Sequence, residues 1–271
     1  MHPSIGKQKI MREHLDPARL AALAASLGAA LAVDYGAEIL PPFAHHIYFW
    51  QAEPPRRLGR DGHPAIGDFI PDLGLPRRMW AGGRLAFHAP LLVGQVAQKR
   101  SVIAAIEPKT GRSGPLVFVT LRHEYHQNET LCRVEEQDLV YRAESSGQPA
   151  TSPPKMADVD EDWSIDHAFD PTLLFRYSAL TFNGHRIHYD RDYARDVEGY
   201  AGLVTHGPLL AHLLMDAATA KLGALKSFEF RGISPLMDFE VATLCGKADS
   251  AAQNLWIRAG DGRLIMTARA L

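Results

Sequence analysis

The chain has 271 residues, a length that is enough for one large domain or two of ordinary size. Hydrophobic residues make up 46% and charged residues 22%, as in an ordinary globular protein. The formal net charge is -2 and basic residues are not concentrated, which excludes the basic face of a nucleic-acid-binding protein. The two cysteines, Cys132 and Cys245, lie far apart in the sequence, which excludes a disulfide framework and a cysteine-type zinc site.

The N-terminal segment predicts neither export nor membrane insertion. The sequence MHPSIGKQKIMREHLD is interrupted by charged residues and lacks the apolar region of a signal peptide. No stretch of the chain approaches the ~18 consecutive apolar residues that a membrane-spanning helix needs. We therefore expect a cytoplasmic protein whose thiols stay reduced.

In chain order, the first predicted element is a helix over residues 14–30. Asp16 is suited to be its N-cap, Pro17 to occupy its first position and Gly28 to end it. After it, the sequence PPFAHHIYFW at 41–50 is a proline-initiated apolar segment.

A long loop and a set of strands are predicted for the rest of the first half. Residues 54–79 are rich in proline, glycine and charge, so they are expected to be mostly loop. From residue 85 to residue 143, several runs rich in β-branched and aromatic residues predict strands. Within them, PKTGRSG is the expected connector of a hairpin, and NETLCRVEEQDLVYR is a further strand.

The clearest linker is ESSGQPATSPPKM, at residues 144–156, because it is rich in Ser, Gly and Pro. It predicts two domains, at 1–150 and 151–271. In the second domain, the apolar run that starts at Pro208 predicts a largely buried helix. The strands that follow are expected at 226–231, within 237–249, and as a hairpin turning at AGDGR within 254–271.

The most informative segment is YSALTFNGHRIHYD, at residues 177–190. It places Asn183 and His188 around a polar turn, and the pair His206-Gly207 follows at the start of the apolar helix. A histidine can activate water as a general base. The N–H groups at a helix start can stabilise an oxyanion. The pattern therefore predicts chemistry at a carbonyl group.

FNGHRIHYD followed by THGPLL resembles the motif of the MaoC-like hydratases and dehydratases, which reads roughly GDxNPIHxD in R-specific enoyl-CoA hydratases. Phe182 stands at the position of the motif's glycine, and Asn183 at that of its catalytic aspartate. Ile187 matches the isoleucine, His188 the catalytic histidine, and Asp190 the final aspartate. The central helix of that family begins after a His-Gly pair, as it is expected to do here.

Two longer stretches, MWAGGRLAFHAPLLVG and LTFNGHRIHYDRDYA, are similar to one branch of this family. The branch comprises mitochondrial-type 3-hydroxyacyl-thioester dehydratases and the related mesaconyl-C4-CoA and itaconyl-CoA hydratases. The resemblance implies an α+β protein with a double hotdog fold, a long antiparallel sheet wrapped around central helices. It also implies that 1–150 is a non-catalytic half that supports the substrate pocket, and that 151–271 carries the catalytic motif.

The resemblance also assigns roles to single residues. His188 is expected to be the base, and the N–H of Gly207 to polarise the thioester carbonyl. Asn183 cannot act as a base, unlike the family's aspartate, so we expect it to orient the water. Residues expected to contact the substrate are Arg84, Arg186, His206, Tyr189 and Asp190. Two of these have alternatives: Arg84 as a surface arginine and His206 as a helix cap.

No cofactor and no metal are expected. His185 and His188 have H-x-x-H spacing, but the sequence offers no third ligand with convincing spacing. The short clusters Arg56-Arg57 and Arg77-Arg78 are interpreted as solvated surface, with a carboxylate or phosphate site as the alternative. The expected partner is an acyl-CoA substrate, without nucleic acid or membrane, and the protein is expected to be a homodimer.

Within the predicted hydro-lyase activity, two kinds of substrate compete. A short dicarboxylic acyl-CoA such as mesaconyl-C4-CoA or itaconyl-CoA needs a cation near its distal carboxylate, for which Arg84 and Arg186 are candidates. A 3-hydroxyacyl group on acyl carrier protein needs an apolar tunnel and a basic docking surface. Two other classes remain: a hotdog thioesterase with Asp190 as its base, and a non-catalytic acyl-thioester binding protein, which Asn183 leaves open.

Overall fold

The computed structural model describes residues 2–28, 34, 38–111, 114–143 and 153–271. Within these residues, ten strands form one antiparallel sheet. In chain order the strands are β1 (Gln8–His14), β2 (Arg77–Phe87), β3 (Val96–Gly111), β4 (Gly114–Gln127), β5 (Thr130–Arg142), β6 (Trp163–Ala168), β7 (Ser227–Gly232), β8 (Val241–Asp249), β9 (Ala252–Ala259) and β10 (Leu264–Ala270). Their order across the sheet is β1-β3-β4-β5-β2-β7-β10-β9-β8-β6.

The sheet consists of two halves with the same internal strand order. From either edge to the centre, the first half runs β1-β3-β4-β5-β2 and the second runs β6-β8-β9-β10-β7. At the centre β2 pairs with β7, from Gly82 opposite Arg231 to Ala86 opposite Ser227. A Cβ at Gly82 would lie 2.5 Å from the carbonyl oxygen of Phe230, so glycine allows this close approach. This is the continuous sheet of two equivalent halves that the predicted double hotdog fold requires.

The second half wraps its strands around one long helix. The helices are α1 (Pro17–Leu27), α2 (Pro171–Thr181), α3 (Arg191–Asp196) and α4 (Gly207–Leu222). Residues 209–218 of α4 are all buried, because the helix is apolar on every side and packs against β7, β9 and β10. The predicted helix at Pro208 is thus confirmed, one residue longer at its start. None of the helices in the described ranges is long and apolar enough to cross a membrane.

In the first half, turns occupy the place that α4 has in the second. Between α1 and β2, the described residues contain two short 3-10 helices, Ala44–Ile47 and Pro55–Arg57, instead of a long helix. The first lies in the apolar segment predicted at 41–50, and its neighbour Phe43 is buried in the main core. The loop predicted at 54–79 is found, except that β2 takes its last residues.

The sequence signals for a helix start and a hairpin turn gave correct positions, whereas the predicted lengths of the strands were less accurate. The carboxylate of Asp16 accepts a hydrogen bond from the N–H of Ala18 at 2.9 Å, which confirms the predicted N-cap of α1. The hairpin between β9 and β10 turns at 260–263, as predicted. The strands β3 and β4 extend into the predicted PKTGRSG connector, of which residues 112–113 lie outside the described residues.

Two features of the predicted organisation need comment. Most of the predicted linker at 144–156 lies outside the described residues, which resume at residue 153, so the domain boundary at 150 stays a prediction. The strand β1 was not predicted. Its sequence, QKIMREH, alternates exposed and half-buried positions on the edge of the sheet, where charged side chains are favoured.

Candidate active site

The motif loop runs from the end of α2 to the start of α3. Phe182 ends α2 in the left-handed conformation, with a φ of 51°, and the N–H of Asn183 donates to the carbonyl of Ser178 at 2.8 Å. A 3-10 turn, Arg186–His188, then directs His188 into the protein, where only 7% of the residue is exposed. The loop therefore buries the predicted base against the segment that leads into α4.

His188 is a neutral imidazole with a defined tautomer. Its Nδ1 lies 2.6 Å from the carbonyl oxygen of Val204, and because a carbonyl can only accept, Nδ1 carries the hydrogen. Its Nε2 keeps a lone pair and has no hydrogen bond to any described residue. Burial, and then His185, lower the pKa of His188 to about 3, although the Val204 carbonyl opposes this. His188 therefore has the unprotonated state that a general base needs at neutral pH.

A second imidazole, that of His206, lies flat against His188. The two ring centres are 3.7 Å apart and the planes differ by 20°. His206 is fully buried at the N-cap of α4, and its Nε2 lies 2.8 Å from Oγ of Ser178, but its side chain makes no capping hydrogen bond. Burial, and then His188 and His185, lower its pKa well below the usual range. His206 thus packs against the base and its side chain does not cap the helix, while its predicted contact with the substrate stays a prediction.

Unpartnered polar atoms surround the start of α4. The hydroxyl of Tyr177, Oγ1 of Thr205 and Nδ1 of His206 are buried, and none of the three has a hydrogen-bond partner among the described residues. The ring of Tyr177 packs 5.2 Å from that of His206, centre to centre. Because buried polar groups are nearly always hydrogen-bonded, these atoms indicate a place for a water or a polar ligand.

Gly207 leaves open space at this position. It is the first residue of α4, where backbone N–H groups have no acceptor within the helix. A Cβ at Gly207 would meet no atom within 4 Å, and its φ lies outside the left-handed region. The turn therefore does not require a glycine, whereas a ligand approaching the helix start does benefit from the missing side chain. The predicted contact of its N–H with a thioester stays a prediction.

Asn183 shapes the motif loop. Its Oδ1 accepts a hydrogen bond from the backbone N–H of His185 at 3.1 Å, a bond that a carboxylate could also accept. Its side chain is half-buried in the loop that carries His188. The predicted hydrogen bond of Asn183 to a water stays a prediction.

The other predicted contact residues of this loop bond to one another. Arg186 pairs with Asp190 at 2.7 Å, and its guanidinium lies 4.1 Å from the ring centre of Tyr193. Asp190 also caps α3, accepting from the N–H of Tyr193 at 3.0 Å, and these two partners lower its pKa. The hydroxyl of Tyr189 donates to the carbonyl of Gly184 at 2.9 Å. Their contacts with a substrate stay predictions.

Arg84 does not face this site, which corrects the prediction made for it. Its guanidinium pairs with Glu136 at 3.0 Å and with Asp138 at 2.7 Å. The next residue, Leu85, is 2% exposed and belongs to the core that contains α4. Since neighbouring side chains of a strand point to opposite faces, Arg84 lies on the outer face of the sheet. Its two carboxylate partners also neutralise the charge that a substrate would need.

Another arginine of β2, Arg78, lies on the inner face. It is half-buried and precedes Trp80 by two positions, and the ring of Trp80 faces those of Phe43 and His46 in the interior. Burial, and then the charge of Arg78, lower the pKa of His63 to about 4. No ion pair of Arg78 occurs among the described residues. Arg78 lies opposite the buried Tyr141 on β5 and is therefore not a solvated surface residue, while the alternative of a carboxylate site stays a prediction.

The first half contributes two residues that were not predicted. The backbone carbonyl of Asp61 accepts from the N–H of Arg186 at 2.9 Å, and the ring centre of His63 lies 4.3 Å from that of His185. Both residues belong to the loop predicted at 54–79. The one signal that could have indicated them is the length of that loop, since long irregular segments often carry functional residues.

A second group of titratable side chains lies in the interior of the first half. The carboxylate of Glu135 is fully buried and bonds to His45 at 3.0 Å, His46 at 2.9 Å and the hydroxyl of Tyr125 at 2.8 Å. Burial acts to raise its pKa, but the two histidines hold it well below the usual range. Two groups of described residues have the ligand spacing of a metal site: His45, His46 and Glu135, and Asp61, His63 and His185.

Comparison with protein families and curated proteins gives a consistent result. The model of the family described as hydroxyacyl-thioester dehydratase type 2 matches residues 43–238. The chain is 42% identical to the mesaconyl-C(4)-CoA hydratase of Chloroflexus aurantiacus, over 97% of this chain and 95% of that protein. It is 29% identical to the mitochondrial hydroxyacyl-thioester dehydratase type 2 of Schizosaccharomyces pombe, over 92% of each chain.

Solved structures share the fold at low sequence identity. HtdX from Mycobacterium tuberculosis superposes with a TM-score of 0.70 at 17% identity, covering 96% of this chain and 98% of that one. A MaoC-like dehydratase reaches a TM-score of 0.74 at 15% identity, covering 99% and 98%. A further M. tuberculosis protein, described as a double hotdog, reaches 0.58 at 13% identity, covering 98% and 95%.

Proposed function

Since the chain belongs to the hydroxyacyl-thioester dehydratase type 2 family of MaoC-like double-hotdog enzymes, and is therefore a hydro-lyase of acyl thioesters, we propose that its substrate is a short dicarboxylic acyl-CoA such as mesaconyl-C4-CoA or itaconyl-CoA. The observation that carries this proposal is the 42% identity to a mesaconyl-C(4)-CoA hydratase along nearly the whole chain. The mitochondrial dehydratases are more distant, at 29% and 26% identity, so a dehydratase of 3-hydroxyacyl groups on acyl carrier protein is the second candidate.

The proposed mechanism uses three groups of the site. Nε2 of His188 removes a proton from water while the water oxygen bonds to C3 of the enoyl thioester, and Asn183 orients that water. The electrons of the double bond move toward the thioester oxygen, which the N–H of Gly207 and the positive end of α4 stabilise. One such donor is typically worth about 3–4 kcal/mol of transition-state stabilisation. The proton then passes from His188 to C2, and the reverse sequence removes water.

The site gives less support to the other two classes. A thioesterase would need a free carboxylate aimed at the thioester carbon, but Asp190 is engaged by Arg186 and by the start of α3. A non-catalytic binding protein would not need the neutral His188 with its unengaged Nε2. The predicted cytoplasmic location and homodimeric state stay predictions.

We assign the distal carboxylate of the substrate to Arg78. In mesaconyl-C4-CoA this carboxylate is attached to C3, the carbon that water attacks, so its cation has to lie near His188. Arg186 is already paired with Asp190, whereas Arg78 is half-buried and has no ion pair within the described ranges. Because Arg78 belongs to the first half, residues 1–150 would support the pocket of the motif-bearing half 151–271.

A substrate panel tests this assignment. Purified protein would be given mesaconyl-C4-CoA, itaconyl-CoA, crotonyl-CoA and crotonyl-acyl carrier protein, with products identified by mass and free thiol measured in parallel. We expect kcat/KM for mesaconyl-C4-CoA to exceed that for crotonyl-CoA by about 100-fold or more, because a site built for a polar group rejects analogues that lack it. Arg78→Gln should remove most of this preference.

The matched control is Arg122→Gln. Arg122 pairs with Glu124 at 3.2 Å and is 40% exposed, so its loss should leave the preference unchanged. Equal rates with mesaconyl-C4-CoA and crotonyl-CoA in the wild type would contradict a dicarboxylic substrate. Faster turnover of the carrier-protein thioester would establish the second candidate, and thiol release would establish a thioesterase.

Substitutions at Asn183 test whether the asparagine contributes to catalysis at the position where the family has an aspartate. Asn183→Asp should keep or raise activity, with a shifted pH profile, because a carboxylate can accept the same hydrogen bonds. Asn183→Ala should lower kcat/KM about tenfold or more, since it removes the amide that accepts from the N–H of His185 and is proposed to orient the water. If Asn183→Ala equals the wild type, Asn183 has no catalytic role. If only Asn183→Asp is active, the natural chain is a binding protein.

A further inference from the structure

The loop of the first half that carries Asp61 is fitted closely to the motif loop. Gly62 has a φ of 86°, and a Cβ there would collide with the carbonyl oxygen of Gly184. Conversely, a Cβ at Gly184 would lie 2.6 Å from the carbonyl oxygen of Gly62. The backbone hydrogen bond from Arg186 to Asp61 closes the same contact. Two loops from opposite halves are thus held together by a pair of glycines.

This contact presents a carboxylate–imidazole pair to the site. Oδ2 of Asp61 lies 2.8 Å from Nδ1 of His63, and Oδ1 accepts from the backbone N–H of His63 at 3.1 Å. Burial acts to raise the pKa of Asp61, but its hydrogen bonds with His63 hold that pKa below the usual range, so the carboxylate is ionised. Nδ1 of His63 therefore carries the hydrogen, and Nε2 keeps its lone pair on the opposite edge of the ring.

His63 and His188 are both neighbours of the ring of His185, and His63 also lies within electrostatic reach of His188. The ring of His185 is 4.3 Å from that of His63 and 5.3 Å from that of His188, to which it is nearly perpendicular at 87°. Both outer rings have Nδ1 bonded to an oxygen and Nε2 unprotonated. The charged groups that face His63 are Asp61 and Arg78, and its side chain is 16% exposed.

The attacking water has two hydrogens, and His188 can accept only one of them. Asn183 can accept the second but cannot take a proton, and Asp190 is engaged elsewhere. An imidazole whose tautomer is fixed by a carboxylate is better suited than an amide to take a proton from this water, because the carboxylate stabilises the imidazolium that forms. We propose that His63, oriented by Asp61, is a second acid–base residue of the hydration reaction, so that the site is assembled from both halves of the chain. This inference rests on the proposed function.

The step balances with water as the only added reactant. The water oxygen bonds to C3, and one O–H bond breaks as either His63 or His188 takes the proton at Nε2. The other imidazole accepts the remaining hydrogen as a hydrogen bond. The electron pair of the double bond passes through the enolate and forms the C2–H bond with the proton that the protonated imidazole returns. Asp61 makes no bond to the substrate and is a positioning residue.

The test compares His63→Ala, His63→Gln and Asp61→Asn with the wild type, on the best substrate of the panel. The matched control is Asp68→Asn, in the same loop, whose carboxylate pairs at the surface with Arg57 at 3.0 Å. We expect His63→Ala to lower kcat about 100-fold with little change in KM, in the range of general acid–base residues. His63→Gln should lose nearly as much, because an amide cannot take the proton. Asp61→Asn should lose about tenfold, and Asp68→Asn nothing.

Added imidazole separates a chemical role of His63 from a structural one. It should restore at least part of the kcat of His63→Ala and leave the kcat of Asp68→Asn unchanged, while the thermal midpoints of all variants stay close to that of the wild type. A kcat of His63→Ala within twofold of the wild type would overturn the proposal. So would a loss that appears in KM and is not rescued.

Two further outcomes are informative. Activity that EDTA removes and Zn²⁺ restores would show that Asp61, His63 and His185 hold a metal, and would also overturn the proposal. The proposed function fails in a different way: the wild type itself would then turn over no enoyl thioester, whatever residue stands at 63.

Discussion

Replacing His188 with alanine is expected to lower kcat for hydration by about 10²–10⁴, the range found when a general base is removed. The physical reason is that His188 offers an unprotonated Nε2 beside the start of α4, with its tautomer fixed by the carbonyl of Val204. The fold should survive, because the hydrogen bonds of the motif loop that start at Asn183 and Asp190 do not involve the imidazole. Steady-state rates and thermal midpoints of the purified variant check both statements.

The control for this substitution is His14→Ala, which removes an exposed histidine from the edge strand β1 and should leave kcat unchanged. A fall of less than about tenfold in His188→Ala would show that another residue carries the proton. His63 is then the first candidate, and the double variant with His63→Ala would decide, since two residues that act as one unit give losses that do not add.

The free energy of unfolding is expected to fall steeply as the pH is lowered from 7.5 to 5.5. Seven histidines have lowered pKa values in the folded state, with burial as the main cause. These pKa values are about 4 for His63, about 3 for His123, His185, His188 and His212, and well below the usual range for His45 and His206. Below about pH 6.5 the unfolded chain protonates these side chains and the folded chain does not.

The sign and the size follow from proton binding. The unfolded state binds more protons below pH 6.5, so acid favours it, by about 1.4 kcal/mol per histidine and pH unit. Three such histidines alone lower the free energy of unfolding by about 4 kcal/mol between pH 7.5 and 5.5, against a typical total of about 5–15 kcal/mol. Urea titrations at pH 7.5, 6.5 and 5.5 measure this directly.

One substitution distinguishes this cause from general acid sensitivity. His123→Gln removes one buried imidazole, which is bonded to Oγ of Ser101 at 2.8 Å, and should reduce the pH slope by about one proton. A urea midpoint that stays constant from pH 7.5 to 5.5 would contradict the prediction. If it holds, activity in acid is lost by unfolding before His188 is protonated.

Elements with local signals could be predicted from the sequence. The cap at Asp16 and the start of α4 at Gly207 and Pro208 depend on residues within one helical turn, so the sequence contains the whole signal. The strand β1 lacks such a signal, because its charged residues hide the alternation that pairing with β3 creates. The central pairing of β2 with β7 joins residues from opposite halves, and only the resemblance to double hotdogs indicated it.

The residues of the site also fall into those that a local sequence pattern predicts and those that depend on contacts in the fold. His188 and Gly207 could be identified because the motif is contiguous and its spacing is specific. The prediction for Arg84 was wrong because the sequence alone does not show which residues of this strand face the interior. In the fold, Arg84 pairs with Glu136 and Asp138 on the outer face of the sheet. Asp61 and His63 lie beside the motif loop because Gly62 and Gly184 come into contact in the folded protein. No local sequence pattern predicts that contact.

The pairing of β2 with β7 also determines what joining the two halves in one chain achieves. Alone, each half would expose an unpaired strand edge with its row of N–H and C=O groups, a template for unwanted association. Covalent connection makes the pairing intramolecular, with an effective concentration that no dilution lowers. Because the paired units no longer have to be identical, mutation can change one without changing the other. One unit can therefore carry the motif while the other presents different side chains to it.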